Sequence, residues 1–321
     1  MSVLVYAENW DGKFKKATFE LVSYAAKVAE MLGTSVSAVS IGNVTDDELS
    51  LLGNFGAAKI LKVENANLNV LDNQVYTDIL AQVARAEGAQ AVVIAHNNTG
   101  KALASRLSVR LKAAVGAGLI QLPVSTDPFT VYKKVFSGKA FARVVLKTDI
   151  KILTLMQNSF ELVEGENSAS VVSFPVEAGS PKTLIKDVQK QTGKILLTDA
   201  EIVVSGGRGM KSPDNWGVIE ELAGVLGAAT ACSRPVSDEG WRPHEEHTGQ
   251  TGKIIAPNLY IAAGISGAIQ HMAGISSSKY IVAINTDADA PVFEYADYGV
   301  VGDALKVLPA FTAAVKEAKS K

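Results

Sequence analysis

A chain of 321 residues is longer than one average hydrophobic core requires, so its length favours two domains. Apolar residues make up 47% of the chain and charged residues 20%, a composition that indicates a compact globular protein and excludes a disordered one. Lys and Arg number 31 against 33 Asp and Glu, with no long basic run, which argues against a nucleic-acid-binding protein.

The N-terminal segment and the cysteine content limit location and redox chemistry. The chain starts without a basic region, and Glu8 interrupts the first apolar run, so we expect neither a secretion signal nor a membrane span. We therefore predict a cytoplasmic protein. Cys232 is the single cysteine, which excludes an intrachain disulfide and a cysteine-built cluster. Any redox chemistry would then need a bound organic cofactor.

In the first hundred residues, short β-rich runs alternate with helical patterns. The helix around residue 22 carries apolar side chains at three- and four-residue spacing, and Gly33 is expected to end it. Such a βαβ series predicts a parallel sheet with helices on both faces. The predicted strands are 3–7, 35–41, 59–63 and 91–95, and the predicted helices are 18–31, 46–52 and 75–86.

After residue 129 the pattern changes to β-rich runs. Runs at 129–136 and 140–146, joined by a Ser-Gly-Lys turn, predict a β-hairpin, and a third strand is predicted at 151–157. Residues 165–190 contain two prolines and have no strong period, so we expect them to connect two domains. The predicted domains are residues 1–190 and 191–321.

A second α/β region follows, with strands predicted at 200–204, 228–231, 259–263 and 279–284. A helix predicted at 214–226 has Asp214 as its expected N-terminal cap. Each strand ends in a turn of small or polar residues, and the carboxyl ends of parallel strands converge on one ligand crevice. Residues 249–271 add two glycine-rich turns around an apolar strand and then a helix start, which attracts anions. We expect a phosphate-bearing cofactor there, such as a nucleotide.

The sequence argues against three other kinds of site. The dinucleotide fingerprint G-x-G-x-x-G and the Walker A motif do not occur. His244 and His247 lack the spacing of a helical zinc pair, so we expect no metal. A serine nucleophile at Ser266 would need glycine at position 268, where alanine stands.

In the glycine-rich turn at 205–209, Arg208 favours a ligand, because a guanidinium can hold a phosphate through two hydrogen bonds.

The C-terminal third contains six short runs in a fixed order and spacing: Ser-Gly-Gly-Arg-Gly (205–209), Ser-Arg (233–234), Gly-Gln-Thr-Gly-Lys (249–253), Leu-Tyr-Ile-Ala-Ala-Gly-Ile-Ser-Gly-Ala-Ile-Gln-His (259–271), Val-Ala-Ile-Asn (282–285) and Ala-Asp-Tyr-Gly (296–299). In these runs the C-terminal third resembles the FAD domain of the α subunit of electron-transfer flavoprotein. The N-terminal region is similar to the first domain of that family in layout. The resemblance implies two parallel-sheet α/β domains, the second a Rossmann-like FAD-binding domain and the first, with its β-hairpin region, in contact with a β subunit.

The resemblance also implies a function. Members of the family bind FAD and carry single electrons from dehydrogenases, such as the acyl-CoA dehydrogenases of fatty acid β-oxidation, to a quinone reductase or another acceptor. They work as heterodimers with a β subunit and have no substrate turnover of their own. The implied cofactor-binding residues are Arg208, Ser233, Arg234, Thr248, Gly249, Gln250, Thr251, Ser266, Gly267, Ala268, Ile269, Gln270, His271, Asn285, Asp303 and Ala304.

Some of these residues receive specific roles from the resemblance. Arg234 and His271 would lie beside the isoalloxazine ring, with His271 near its O2 edge and the Thr251 hydroxyl near N5. A cation and hydrogen-bond donors at that edge favour the negative charge of a reduced flavin. Ser266 and the helix start after it would suit the pyrophosphate, and Asp303 a donor on the adenosine part.

Three alternatives stay open from the sequence. The chain could be the α subunit of a bifurcating flavoprotein that oxidises NADH, with a second FAD in its partner. It could also be a nicotinamide-dependent dehydrogenase, although the usual fingerprint is missing, or a nucleotide-binding protein without redox function.

Three residues depart from those usual in the family that the sequence resembles: Cys232, Pro235 and His247. These differences could retune the flavin potential or the mobility of the loop.

Overall fold

The computed structural model describes residues 1–64, 68, 70–181, 183, 185–188 and 195–320. The chain divides into two compact units, Met1–Val188 and Gln189–Lys321, hereafter the first and the second unit. The domain boundary predicted between residues 190 and 191 lies outside the described residues. Within the described ranges, no helix combines the length and the apolar character that a bilayer crossing requires.

The first unit contains one large sheet, a short two-stranded ribbon and several helices. Its helices are α1 (Lys16–Leu32), α2 (Asp46–Ser50), α3 (Asn73–Ala86) and α4 (Asn98–Leu111). Its strands are β1 (Ser2–Tyr6), β2 (Asn9–Trp10), β3 (Lys13–Phe14), β4 (Ser35–Ile41), β5 (Lys59–Val63), β6 (Ala89–Ala95), β7 (Ala114–Leu119), β8 (Ser125–Thr126), β9 (Phe129–Val135), β10 (Ala140–Val145), β11 (Lys151–Leu155) and β12 (Ser170–Ser173).

The large sheet has the strand order β10-β9-β7-β11-β6-β1-β4-β5-β12, with β8 paired to β9. From β7 to β12, every neighbouring pair is parallel. Along β1, Val3 and Val5 pack in the core beneath α1, whereas Leu4 and Tyr6 pack in the core beneath α3 and α4. Both faces of the central strands are therefore buried, which explains their unbroken apolar runs and confirms the predicted α/β class.

The predicted hairpin is confirmed, because β9 and β10 are antiparallel, with Val135 opposite Ala140. The strand that follows leaves the hairpin, and β11 lies parallel between β6 and β7. Residues 165–190, predicted to connect two domains, also contain a strand that the pattern did not predict, because β12 pairs with β5, Ser170 opposite Lys59. The pattern did not predict β7, whose two glycines interrupt its apolar run, nor α4.

The second unit is a smaller, entirely parallel sheet with the strand order β14-β13-β15-β16-β17. Its strands are β13 (Ile202–Gly206), β14 (Ala229–Cys232), β15 (Leu259–Ala263), β16 (Tyr280–Asn285) and β17 (Tyr298–Val301). Its helices are α5 (Gly217–Leu226), α6 (Arg234–Asp238), α7 (Ile269–Ile275) and α8 (Ala304–Ser320).

Helices cover both faces of this second sheet. Met272 of α7 packs with Val203 on one face. On the other face, Leu222 of α5 and Leu308 of α8 pack with Val204. Because neighbouring residues of one strand enter opposite cores, the doubly wound architecture expected of a Rossmann-like domain is confirmed.

The start of α5 differs from the prediction. Pro213–Trp216 forms a 3₁₀ turn, and the α-helix begins at Gly217. The Ser212 hydroxyl accepts a hydrogen bond from the N–H of Asp214 at 3.2 Å, so Ser212 caps the 3₁₀ turn. No side-chain hydrogen bond from Trp216, the N-cap residue, caps α5, and the prediction of Asp214 as its cap is wrong. Pro213 explains the shift, because its fixed φ and missing N–H suit the first helical position after a cap.

A buried carboxylate joins α1 to the segment that follows β11. Glu20 is 2% exposed. Its oxygens accept hydrogen bonds from the N–H groups of Asn158, Ser159 and Phe160 at 3.0, 2.8 and 3.0 Å. Burial raises the pKa of Glu20, and the three backbone hydrogen bonds oppose that rise. One side chain thus pairs three consecutive amide groups that lie outside any strand.

Replacing Glu20 with Ala should leave these three amide groups without their partner. We expect the free energy of unfolding to fall by roughly 3 kcal/mol or more. Glu30→Ala is the matched control, because Glu30 lies on the same helix, is exposed and pairs with Lys27 at the surface. That variant should lose about 0.5 kcal/mol or less. Urea denaturation measures both, and equal losses would contradict the role given to Glu20.

Candidate functional site

The carboxyl ends of the second unit's strands collect most of the predicted site residues at one edge of the sheet. β13 ends at Gly206, β14 at Cys232, β15 at Ala263, β16 at Asn285 and β17 at Val301. The chain runs from β13 outward to β14 and then crosses to β15 on the other side, so the strand order reverses between β13 and β15. In open parallel sheets, ligands bind at the carboxyl ends beside such a reversal.

The loops after β13 and β15 meet through their backbones. The N–H of Gly207 donates to the Ala263 carbonyl at 2.9 Å, and the N–H of Gly209 donates to the Gly264 carbonyl at 3.0 Å. A Cβ on Gly207 would stand 2.2 Å from the Gly264 oxygen, so no side chain fits between the loops. The glycines of the 205–209 turn therefore serve this close approach.

Residues 248–253 form a tight loop fixed at both sides. The N–H of Thr248 donates to the Cys232 carbonyl at 3.0 Å, which ties the loop to the end of β14. The N–H of Gln250 donates to the Gln270 carbonyl at 2.7 Å, which ties it to α7. These hydrogen bonds hold the 248–253 loop against the end of β14 and against α7. The sequence shows the order of these three parts along the chain but not that they are in contact.

Two glycines set the distance between this loop and α7. Gly249 has φ +146°, and a Cβ on Gly274 of α7 would stand 2.4 Å from the Gly249 Cα. The loop therefore lies directly on the helix. Beyond the contact, Gln250 and Thr251 are exposed at the edge of the sheet.

His247 lies beneath this loop. Its ring is buried, and a Cβ on Gly252 would come within 2.8 Å of it. Burial is the first cause that lowers the pKa of His247. The ring therefore supports the loop from below as a neutral group.

Arg234 and Thr251, expected beside the same ring, are neighbours in the structure. The Arg234 Nη1 donates to the Thr251 Oγ1 at 3.4 Å, and its Nε donates to the Asp238 Oδ2 at 3.3 Å. The Arg234 side chain is 62% exposed, so its positive charge lies at the open edge. Ser233 precedes it, largely buried, and its hydroxyl does not cap α6.

His271 lies in a buried line of hydrogen bonds. Its Nε2 is 2.9 Å from the Tyr260 hydroxyl, which is 3.3 Å from the Thr248 Oγ1. Its Nδ1 is buried and makes no hydrogen bond with the described part of the chain. Burial lowers the pKa of His271 to about 4, against a smaller opposing effect of the Thr248 backbone. The imidazole is therefore neutral near pH 7.

The segment 266–270 leads from β15 into α7 at the same edge. Gly267 is buried with φ +88°, and the N-cap residue of α7 is Ala268, whose side chain cannot accept a hydrogen bond. The N–H groups of that turn are therefore not used by a capping side chain. The other side chains of the segment are exposed: Ser266, Ala268, Ile269 and Gln270.

Asn285, at the end of β16, holds neighbouring loops. Its Nδ2 donates to the Ile265 carbonyl at 2.9 Å, and its Oδ1 accepts from the N–H of Asp287 at 3.0 Å. Both ends of this amide are thus paired within the protein. Asn285 therefore joins the end of β16 to the loop that leads to Ser266.

Asp303 follows β17 and pairs with a residue that sequence reasoning missed. Its Oδ1 accepts from the N–H of Leu305, and its Oδ2 lies 2.9 Å from the Lys211 Nζ. Lys211 is the first cause that lowers the pKa of Asp303. No local pattern marks Lys211, because its partner lies far along the chain.

Ala304, also predicted to bind the cofactor, is buried, and its side chain packs in the core beneath α8.

Arg208 follows β13 at the same edge of the sheet. Its guanidinium is 67% exposed and lies 3.9 Å from the Glu239 carboxylate. At that distance and exposure the ion pair holds the side chain only weakly, so the guanidinium can turn to an anionic ligand.

Comparison with known proteins gives two matching family descriptions. Residues 3–178 match the electron transfer flavoprotein domain, which covers more than half of the chain. Residues 196–276 match the electron transfer flavoprotein FAD-binding domain, which includes β13 to β15 and the 248–253 loop. The second match contains most of the candidate site residues, whereas Asn285, Asp303 and Ala304 lie beyond it.

Relatives match along nearly the whole chain. Electron transfer flavoprotein subunit alpha of Syntrophomonas wolfei is 37% identical over 316 residues, covering 98% of each chain. The protein of that name from Bacillus subtilis is 36% identical over 321 residues, covering 98% of this chain and 97% of its own. Protein FixB of Escherichia coli is 40% identical over 245 residues, covering 75% and 78%. The chain therefore belongs to the electron transfer flavoprotein α-subunit family, and its second unit contains the FAD-binding domain of that family.

Proposed function

We propose that this chain carries single electrons as one half of a heterodimer with a β subunit. It would receive electrons from dehydrogenases, such as acyl-CoA dehydrogenases, and pass them to a quinone reductase or another redox acceptor. It acts as a carrier and has no substrate of its own. Beyond family membership, one observation carries the proposal: an exposed cation, a hydroxyl and a neutral imidazole, from Arg234, Thr251 and His271, lie at the carboxyl edge of the second sheet.

The groups at this edge fit a flavin nucleotide. A buried polar atom without a partner is costly. Among the described residues the Nδ1 of His271 has no hydrogen-bond partner, and a polar atom at the edge of a flavin ring would supply one. The uncapped first turn of α7 offers N–H groups to a pyrophosphate. Asp303 keeps acceptor sites open, since a carboxylate can accept about four hydrogen bonds. Ring, pyrophosphate and adenosine hydroxyls therefore each have a suitable neighbour.

The side chains at this edge have different roles, which depend on whether they are charged. FAD, when bound, supplies one-electron chemistry, because it takes up and releases electrons singly. Arg234 stabilises the added negative charge electrostatically, and its Nη1 contacts the Thr251 hydroxyl at 3.4 Å. His271 is neutral near pH 7, so it serves as a hydrogen-bond partner and contributes no charge.

The direct test is to purify the chain with its β subunit and to identify any coloured cofactor released on denaturation. Yellow protein that releases FAD and accepts electrons one at a time during photoreduction supports the carrier function. A complex that also oxidises NADH with a second FAD in its partner would indicate a bifurcating flavoprotein. A colourless complex holding ATP or AMP would refute the proposal in favour of a nucleotide-binding protein.

The charge of Arg234 leads to a prediction about the flavin potential. Arg234→Ala should lower the first one-electron reduction potential, because a cation is lost beside developing negative charge. Each tenfold decrease in the equilibrium constant for one-electron reduction would lower the potential by roughly 59 mV. Arg234→Lys keeps the charge and should retain most of the potential. Spectroelectrochemical titration measures the reduction potential of all three proteins. An unchanged potential in the alanine variant with FAD bound would refute the role proposed for Arg234.

The glycine contact under the loop gives a second prediction. In Gly274→Ala, the new Cβ would stand 2.4 Å from the Gly249 Cα, so the 248–253 loop must move. We expect the Kd for FAD to rise by about tenfold, equivalent to roughly 1.4 kcal/mol. Gly224→Ala in α5 is the matched control, since nothing lies within 4 Å of its new Cβ. Fluorescence titration with FAD should show normal affinity for the control, and equal affinities for both variants would contradict the role of the loop.

The third prediction concerns Asp303. It separates the effect of its negative charge from the effect of its hydrogen bond to the start of α8. Asp303→Ala should weaken FAD binding by about tenfold and leave the flavin potential nearly unchanged, because the adenosine part lies away from the reacting ring. Asp303→Asn keeps an oxygen for the Leu305 N–H but loses the ion pair with Lys211. It should therefore fold like the wild type and still bind FAD less tightly. Normal dissociation constants in both variants would refute the adenosine role.

A further inference from the structure

A continuous line of polar groups crosses the core beneath the candidate site. The Thr248 Oγ1 donates to the Cys232 carbonyl at 3.3 Å and lies 3.3 Å from the Tyr260 hydroxyl. That hydroxyl in turn lies 2.9 Å from the Nε2 of His271. Thr248 and Tyr260 are both fully buried, at 0% exposure, so no solvent can replace these partners.

The line treats the two nitrogens of His271 differently. The Nε2 is held by the shortest bond of the line, whereas the Nδ1 is buried and makes no hydrogen bond with the described residues. In an imidazole, the partner of one nitrogen fixes the ring orientation and the proton on the other. The ring is therefore held at its Nε2, whereas its Nδ1 has no hydrogen bond within the part of the chain that the structure describes.

Tyr260 is well suited to hold the ring rigidly. It stands on β15, between β13 and β16, and its aromatic body packs in the core beside Met272 of α7. Its ring centroid lies 6.0 Å from that of His271, so the two rings also pack against each other. A residue fixed by a central strand positions its partner more accurately than a residue on a loop does.

We propose that Tyr260 is the positioning residue of the flavin site: its hydroxyl holds the Nε2 of His271, with Thr248 behind it, so that the Nδ1 is the atom that meets the cofactor. This inference rests on the proposed function, because it takes His271 as the neighbour of the flavin. Tyr260 itself does not touch the cofactor. Its effect on the flavin passes through the imidazole alone.

Tyr260→Phe is the primary test, because it removes only the hydroxyl and keeps the buried ring. In the complex with the β subunit, we expect the Kd for FAD to rise about tenfold, since the Nε2 loses its buried partner. We also expect the first reduction potential of the flavin to shift, because the ring beside it is no longer held. Tyr280→Phe is the matched control, since Tyr280 opens the neighbouring strand β16 and is 47% exposed. It should change neither quantity.

A double-mutant cycle decides whether the effect passes through His271. In a His271→Ala background, Tyr260→Phe should add no further change to the Kd or to the potential. Thr248→Val removes the group behind Tyr260 and should give a smaller shift in the same direction, which His271→Ala also abolishes. The Thr248 variant keeps the proposal testable should Tyr260→Phe fold poorly.

The outcomes separate this inference from the proposed function. A wild-type complex without FAD would overturn the proposed function and this inference with it. Wild-type complex loaded with FAD, together with a Tyr260→Phe variant of unchanged Kd and potential, would overturn only the role of Tyr260. The same shift persisting in the His271→Ala background would also overturn it, because Tyr260 would then act by another route.

Discussion

The proposed site depends on the backbone contact between the loops after β13 and β15. Gly206 and Ala263 are paired at the ends of these two strands, so both loops leave the sheet at the same level. The glycines then allow the chains to meet without side chains between them, as the 2.2 Å from a hypothetical Gly207 Cβ to the Gly264 oxygen shows. This contact fixes where the loop after β15 begins, and with it the place of α7 and of every candidate residue from 266 to 271.

Two electrostatic environments meet at this edge. Arg234 is mostly exposed and keeps its charge, so it can stabilise an anion that forms next to it. His271 is buried and neutral, so it can only orient a ligand through hydrogen bonds. Placing the charge outside and the neutral donor or acceptor inside avoids the cost of burying an unpaired cation. The 248–253 loop joins the two environments, since Thr251 contacts Arg234 and Thr248 contacts Tyr260.

Elements with a regular apolar pattern were predictable, and elements defined by distant partners were not. The strands β4, β5 and β15 occupy the residues predicted for them, because buried parallel strands carry continuous apolar runs. The short strand β12 has no such run and exists through its pairing with β5. Asp214 was predicted as a helix cap, but it lies inside the 3₁₀ turn Pro213–Trp216, which Ser212 caps and which precedes α5.

The sequence by itself determined the α/β class, the order of the glycine-rich turns and the resemblance to an FAD domain, since these follow from local composition and spacing. The resemblance also implied that Arg234 and Thr251 lie near the same flavin ring. Only the tertiary structure decided that His271 is neutral and tied to Tyr260, that Asp303 pairs with Lys211, and that Ala304 faces the core. Burial and long-range hydrogen bonds depend on residues far apart in the chain, and a local pattern does not record them.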